Sequence, residues 1–144
     1  MQVSIARFAA LLAVFAITGC VSFSDPLGRH DALEMAQKQY TEAIRWGYLE
    51  RARAFVDPEE RGAFELLMPI FEEIRITDFE IGEIEGDENE ADVTVTYRGY
   101  GRAYQVERLF REHQQWSRVE GLKNQWHVQS DLDEGLRTLL GAVN

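Results

Sequence analysis

The spacing of the apolar residues changes once along this chain, close to Ile74. From Leu33 to Ile74 they recur every three or four positions, which is the period of an amphipathic helix. Beyond Ile74 apolar and polar residues alternate, as in strands that bury one face. Helices followed by a run of strands predict an α+β fold, in which N-terminal helices pack on a curved, antiparallel four-stranded sheet.

Prolines and glycines divide the helical part. Asp31, with Glu34 three residues later, predicts the start of a long first helix through a capping box. Gly47 predicts its end, and a second short helix follows. Pro58 predicts the start of a third helix, because a proline at the first helical position loses no hydrogen bond. Pro69 lies inside the third pattern and predicts a kink or break just before it.

The alternating part contains one change of parity and several turns. Ile74 and Ile76 share a face, whereas Phe79 takes the opposite parity, so we expect a β-bulge near Thr77-Asp78. Turns are predicted at 86–89, 99–101 and 121–124, and they separate a clear strand around Val95 from a long segment at 103–119 and a last strand at 126–130. A final short helix is expected to begin at Asp131 or Asp133.

The first 19 residues have the composition of an export signal. One basic residue, Arg7, precedes an apolar run at 8–17 that ends in small residues. That run is shorter than the roughly 20 apolar residues needed to cross a bilayer, so it predicts a cleaved signal peptide rather than a membrane span.

The end of this signal, Ile17-Thr18-Gly19-Cys20, resembles the lipobox of bacterial lipoproteins position by position. The resemblance implies cleavage after Gly19, a diacylglyceryl thioether on Cys20 and acylation of the new amino terminus. It also implies contact with the lipoprotein processing and sorting machinery. Val21 and Ser22, the residues after the cysteine, lack the aspartate typical of inner-membrane retention, so the resemblance implies the periplasmic face of the outer membrane. The alternative is an ordinary secretory signal that ends near a buried cysteine.

We therefore divide the chain into a lipoprotein signal peptide at 1–19, a lipidated tether at 20–30 and one domain at 31–144. The formal net charge of −10 disfavours nucleic acid and anionic membrane surfaces as partners. Cys20 is the single cysteine, so with lipid attached no thiol is left for a disulfide, a metal site or a nucleophile.

Two separated stretches carry a second resemblance. Phe55-Val56-Asp57-Pro58 with Arg61, and later Gln115-Trp116 and Trp126-His127-Val128, are similar to the nuclear transport factor 2-like (SnoaL-like, cystatin-like) superfamily. The resemblance covers most of residues 31–132 and implies a cone formed by the sheet and the helices. The superfamily includes isomerases, cyclases, dehydratases and binding domains without catalysis, so the fold does not select a function.

The cone would be lined by aromatic residues and a few polar ones. Trp46 and Tyr104 are expected to join the core as well. Asp78, at the bulge, and Arg108, which shares the parity of Phe110, are the polar residues expected to point inward. The predicted lining residues are Tyr40, Asp78, Tyr97, Arg108, Trp116 and Trp126.

Metal and cofactor sites are not predicted. His30, His113 and His127 lack the spacing of zinc ligands, and the last two are expected to face solvent. The acidic stretch at 83–92 lacks the spacing of a calcium loop and predicts a solvated hairpin. The aromatic and arginine residues at 97–104 predict a tight hairpin rather than a nucleic-acid surface.

These observations predict an outer-membrane-anchored periplasmic lipoprotein whose domain binds an envelope protein or a small hydrophobic ligand without catalysis. The alternative is a small-molecule acid–base enzyme of the same fold, similar to an isomerase or dehydratase, with a carboxylate or histidine inside the cone. No catalytic residue is predicted.

Overall fold

A computed structural model describes residues 27–121 and 124–141 of the chain. The predicted signal peptide at 1–19, Cys20 and most of the predicted tether lie outside these residues. Among the helices described, none is long and apolar enough to cross a membrane.

The first helix, α1, spans Arg29–Trp46 and begins before the predicted start at Asp31. Gly28 precedes it in the left-handed conformation, and no side chain caps its first turn, so the predicted capping box is wrong. Gly47 ends the helix as predicted. Its φ of 71° is accessible to glycine at little cost, and its N–H donates to the carbonyl groups of Ala43 and Ile44.

Three short helices follow: α2 (Leu49–Arg53), α3 (Arg61–Glu65) and α4 (Met68–Glu73). Pro58 lies in a turn and does not begin a helix, because the chain there pairs with the sheet instead. The predicted break before Pro69 is present, since α3 ends at Glu65 and α4 begins at Met68.

The sheet is an antiparallel meander in the order β1-β2-β3-β4. Its strands are β1 (Ile74–Gly86), β2 (Glu90–Gly101), β3 (Arg108–Arg118) and β4 (Trp126–Ser130). The register between β1 and β2 shifts between Ile76 and Asp78, where the bulge was predicted, and again between Ile81 and Ile84. This architecture confirms the predicted α+β fold.

The connection between β2 and β3 differs from the prediction. Gly99 lies within β2, paired with Ile76 and Arg108, so the strand continues to Gly101. The predicted segment at 103–119 therefore shortens to β3, and Tyr104 and Val106 lie on an exposed loop.

The two stretches that carry the superfamily resemblance meet in the structure. Val56 forms a parallel bridge with Val128 of β4, supported by hydrogen bonds from the N–H of Asp57 and to the carbonyl of Phe55. The Arg61 side chain donates to the Val56 carbonyl over 3.1 Å, which closes the turn onto the sheet.

The last helix, α5 (Leu132–Gly141), packs across β3 and β2 and buries Leu132, Leu136 and Leu139. Gly135 lies where the helix touches the sheet. A Cβ at this position would stand 2.5 Å from the carbonyl oxygen of Arg111 and 3.0 Å from the Phe110 ring. The glycine therefore sets how closely α5 approaches β3.

Candidate functional site

A carboxyl group lies at the centre of the cone, on β3. The inward-facing residues of this strand alternate as Phe110, Glu112, Gln114 and Trp116, so two polar side chains stand between two aromatic ones. Glu112 is 0% exposed. Buried carboxyl groups require partners because their desolvation is costly.

Two tyrosines and an amide supply those partners. The Tyr40 hydroxyl of α1 donates to Glu112 Oε1 over 2.8 Å, and the Tyr97 hydroxyl of β2 donates to Oε2 over 2.7 Å. Gln114 Nε2 donates to Oε2 over 2.8 Å. The carboxyl group thus accepts hydrogen bonds from α1, β2 and its own strand, and it links the first helix to the sheet.

A second layer of polar side chains extends from Gln114. Its Oε1 accepts from Trp116 Nε1 over 3.1 Å and from Gln37 Nε2 over 3.2 Å. Gln37 also donates to Thr41 Oγ1 over 3.0 Å. We call this set the central cluster; it consists of Gln37, Tyr40, Thr41, Tyr97, Glu112 and Gln114.

The local sequence places these groups without special backbone geometry. Gln37, Tyr40, Thr41 and Ile44 follow helical spacing and therefore share the face of α1 that meets the sheet. Tyr97 lies directly opposite Phe110 in the β2–β3 register, and their rings stack with centroids 5.1 Å apart. The Tyr40 ring meets Trp116 edge to face at 5.8 Å. Aromatic rings thus pack around the polar centre.

Burial sets the ionisation of the cluster. It raises the pKa of the Glu112 carboxyl, while the hydrogen bonds from Gln114, Tyr97 and Tyr40 act in the opposite direction. Burial and the nearby Glu112 carboxyl raise the pKa of the Tyr40 and Tyr97 hydroxyls well above 10. Both phenols therefore remain donors at neutral pH, and a carboxyl with a raised pKa is the group that general acid–base chemistry needs.

The cluster has no room beside it for a ligand. Tyr40, Tyr97 and Glu112 are all 0% exposed, and Trp116 is 1% exposed. Because these side chains have almost no solvent-accessible surface, no cavity for a substrate lies between them. Ser130 Oγ lies 3.3 Å from the Tyr40 hydroxyl, and Ser130 also lines a cleft of about 180 Å³ with Phe64, Leu67 and Leu132.

The structure brings together three of the six residues that sequence analysis placed in the cone lining. Tyr40 and Tyr97 contact the central carboxyl, and Trp116 contacts Gln114. Trp126 is buried at the start of β4, and its Nε1 has no hydrogen-bond partner among the described residues.

Four expectations about individual side chains need correction. Asp78 is exposed, because the bulge turns it outward opposite Arg98. Arg108 is half-buried and lies at the end of β3, away from the centre, on the wall of another cleft. Trp46 and Tyr104 are 57% and 65% exposed, since each lies just beyond the packed part of its element.

Glu112, Gln114, Gln37 and Thr41 were not singled out by the sequence. The signal for the first two was present, because they occupy the same parity as Phe110 and Trp116 on a strand whose other face is polar. A polar pair between two inward aromatic residues indicates a buried hydrogen-bonded centre. Gln37 and Thr41 lie at helical spacing between Leu33 and Ile44, which places them on the same buried face.

His30 lies on α1, where it pairs with Glu34 at 2.9 Å, and the other two histidines lie on strands of the sheet. His113 pairs with Asp92 at 3.3 Å, and His127 contacts Gln125 at 3.3 Å. Within the residues described, no group of three or more histidine, cysteine, aspartate and glutamate side chains is arranged to hold a metal ion. In the acidic hairpin, Asp87 Oδ1 accepts the backbone N–H groups of Asn89 and Glu90, which lowers its pKa.

No family model and no curated protein matches this chain. Solved structures do. A SEC-C motif containing protein from Rhodopseudomonas palustris matches with a TM-score of 0.56 at 12% identity, over 72% of this chain and 87% of that one. A ketosteroid isomerase-like protein from Erwinia carotovora atroseptica matches with a TM-score of 0.53 at 15% identity, over 76% and 98%.

A third match is an LEH-like epoxide hydrolase from M. tuberculosis, with a TM-score of 0.51 at 14% identity, over 78% of this chain and 91% of that one. At such identities the likeness shows the fold alone. The chain therefore has a nuclear transport factor 2-like fold, as the two resembling stretches predicted.

Proposed function

We propose that this protein is an outer-membrane-anchored periplasmic lipoprotein whose domain binds a partner at the cell envelope without catalysis. The anchor part of the proposal rests on Ile17-Thr18-Gly19-Cys20. Several acyl chains on one residue would hold the protein on the membrane, since a single chain binds only marginally.

One observation carries the binding part of the proposal: the central carboxyl is covered. An enzyme of this architecture needs space for its substrate next to the acid–base group, and the three side chains that donate to Glu112, those of Tyr40, Tyr97 and Gln114, are each 0% exposed. One of the three donors, Tyr40, also connects α1 to the sheet through the carboxyl, which is a structural role.

The position of the domain relative to the anchor follows from its first residues. Asn124 Nδ2 donates to the Leu27 carbonyl over 2.9 Å, and Arg29 pairs with Glu88 of the acidic hairpin at 2.6 Å. The chain thus enters at the acidic end of the molecule, at most about 25 Å of extended chain after Cys20. On a membrane, this end would face the lipid.

The experiment that tests the anchor is intact mass with membrane fractionation of wild type and Cys20→Ala. We expect the wild type to carry acyl chains and to sediment with the outer membrane, and the variant to remain unprocessed or soluble. Ser22→Ala, two positions further on, is the matched control and should behave as wild type. An unmodified Cys20 in a freely soluble mature protein would refute the anchor.

The second candidate function is an acid–base enzyme acting on a small hydrophobic molecule. The raised pKa of Glu112 favours it, as do the names of two structural neighbours, a ketosteroid isomerase-like protein and an epoxide hydrolase. Soaking or titration with hydrophobic ketones and epoxides, followed by NMR shifts at the tyrosine rings, tests it. Saturable shifts at Tyr40 and Tyr97 that Glu112→Gln alters would favour the enzyme.

A further inference from the structure

A groove lined by arginines and aromatic residues runs across the end of the molecule opposite the acidic hairpin. It consists of two adjoining clefts of about 420 Å³ and 440 Å³ that share Glu72 and Arg102 in their walls. The first cleft lies between the end of α1, α4 and the start of β1. The second lies between α4, the β2–β3 connection and α5. We call the two together the arginine groove.

Three arginines of the first cleft have no acidic partner. Arg45, Arg75 and Arg102 line it, and within residues 27–121 and 124–141 no carboxylate forms an ion pair with any of them. Glu50 and Glu72 lie on the same wall, so the cleft is slightly basic in a chain with 25 acidic and 15 basic residues. Unpaired arginines are unexpected in so acidic a chain, and they favour an anionic ligand.

Arg45 provides the most specific observation. Its guanidinium carbon lies 4.5 Å from the centroid of the Trp46 ring, a cation–π contact. Its Nη1 is buried and has no hydrogen-bond partner among the described residues. A buried donor without an acceptor is costly, so the guanidinium would gain by turning Nη1 into the cleft, where a carboxylate oxygen is the acceptor that guanidinium groups bind most strongly.

The shape and composition of the groove fit an extended chain rather than a compact molecule. The second cleft continues past Arg102 to Tyr104, Val106 and Leu140, where the tyrosine is 65% exposed and the valine 58%. Exposed tryptophan, tyrosine and arginine residues are the side chains that dominate binding energy in protein interfaces.

The groove also lies at the end that would face away from the membrane. α1 runs from Arg29, beside the acidic hairpin, to Trp46 at the groove, about 27 Å for its 18 residues. The present inference rests on the proposed binding role and names its site. From the unpaired arginines and the unsatisfied Nη1 of Arg45, we propose that the arginine groove binds an extended acidic segment of a partner protein, with its carboxylates on Arg45, Arg75 and Arg102.

The test uses the full-length protein as extracted from cells and a fluorescein-labelled twelve-residue peptide that alternates glutamate with leucine. Its matched control peptide has glutamine in place of glutamate. We expect the acidic peptide to bind at least about tenfold more tightly than the glutamine peptide, and the affinity to fall with added salt. Binding should also shield Trp46 from acrylamide quenching, because Trp116 and Trp126 are already buried.

Arg45→Gln and Arg102→Gln should each lower the affinity for the acidic peptide by about tenfold or more. Arg111→Gln, at an exposed position of β3 outside the groove, is the matched control and should leave the affinity unchanged. Equal binding by all three variants, equal binding of the two peptides, or no binding at millimolar peptide would overturn the proposal. So would glutarate that binds as tightly as the peptide, since the ligand would then be a small anion.

Fractionation of the same protein separates the two proposals. If the wild type is soluble but still binds the acidic peptide through Arg45, the anchor proposal is refuted and the groove proposal is supported. If the wild type is acylated and membrane-bound but does not bind the peptide, the anchor proposal is supported and the groove proposal is refuted.

Discussion

Tyr40 and Glu112 join the first helix to the third strand through a hydroxyl–carboxyl hydrogen bond of 2.8 Å, in an interior that water does not reach. Tyr97 makes the equivalent bond to the other carboxyl oxygen at 2.7 Å. One acidic side chain thus accepts hydrogen bonds from two buried phenols, one through each carboxyl oxygen.

Removing the carboxyl group should destabilise the fold. Glu112→Ala leaves the Tyr40 and Tyr97 hydroxyls and Gln114 Nε2 without their acceptor and also opens a cavity, so we expect a loss of about 2–4 kcal/mol in the free energy of unfolding. Glu112→Gln keeps the volume and one acceptor oxygen and should cost about half as much. Chemical denaturation followed by circular dichroism measures both, with the exposed Glu80→Ala as control. A stability unchanged in Glu112→Ala would contradict the role assigned to the cluster.

The same carboxyl should make stability depend on pH. Its pKa is raised in the folded protein, so the folded state holds a proton over a range in which the unfolded state has lost it. The contribution of Glu112 is therefore most favourable below its unfolded pKa of about 4.3 and decreases as pH rises towards the folded value.

Melting temperatures of wild type and Glu112→Gln between pH 4 and pH 8 isolate this contribution, because other groups titrate equally in both proteins. The melting temperature of the wild type relative to the variant should fall as pH rises. A relative melting temperature that rises with pH would mean that the folded protein favours the ionised carboxyl.

Gly135 should tolerate no side chain without movement of α5. Gly135→Ala places a Cβ about 2.5 Å from the Arg111 carbonyl, which is too close for van der Waals contact. We expect the free energy of unfolding to fall by about 1–3 kcal/mol. In an unhindered helix the same substitution would stabilise, because alanine has a higher helix propensity than glycine by about 1 kcal/mol. Gly141→Ala is the control, since its Cβ would meet nothing within 4 Å. Equal stability of the two variants would contradict the close contact between α5 and β3.

Truncation of two tyrosines seven residues apart should have very different effects on stability. Tyr97→Ala removes a ring that stacks on Phe110 and donates to Glu112, so the loss should be about 3–5 kcal/mol. Tyr104→Ala removes an exposed ring and should change stability by about 0.5 kcal/mol or less. Thermal unfolding of the two variants measures the difference, and comparable losses would show that the loop after β2 packs more tightly than described.

The periodicity of apolar residues was sufficient to predict the architecture, because each helix and strand buries one face. The shift of period at Ile74, the parity change at 76–78 and the glycine after Trp46 each correspond to a boundary or a bulge in the structure. The start of α1 and the position of Pro58 were wrong for a common reason. Local signals favoured Asp31 and Pro58 as helix starts, whereas the fold begins α1 at Arg29 and pairs Val56 with Val128.

The sequence predicts only part of the candidate site. Aromatic residues are readily assigned to a core, which brought Tyr40, Tyr97 and Trp116 together, but glutamate and glutamine are usually exposed. Glu112 and Gln114 could be recognised only through the partners that satisfy them, and those partners come from α1 and β2. The three unpaired arginines of the groove come from α1, the start of β1 and the β2–β3 connection, which are far apart in sequence, so no local pattern predicts the groove.

The hydroxyl of Tyr40 lies between an exposed serine and the buried carboxyl of Glu112. This hydroxyl touches Ser130, which lines an open cleft, and on its other side it touches the carboxyl of Glu112. The buried carboxyl is therefore one hydroxyl group away from a residue that lines the cleft, so a substitution at Tyr40 would change how solvent reaches Glu112.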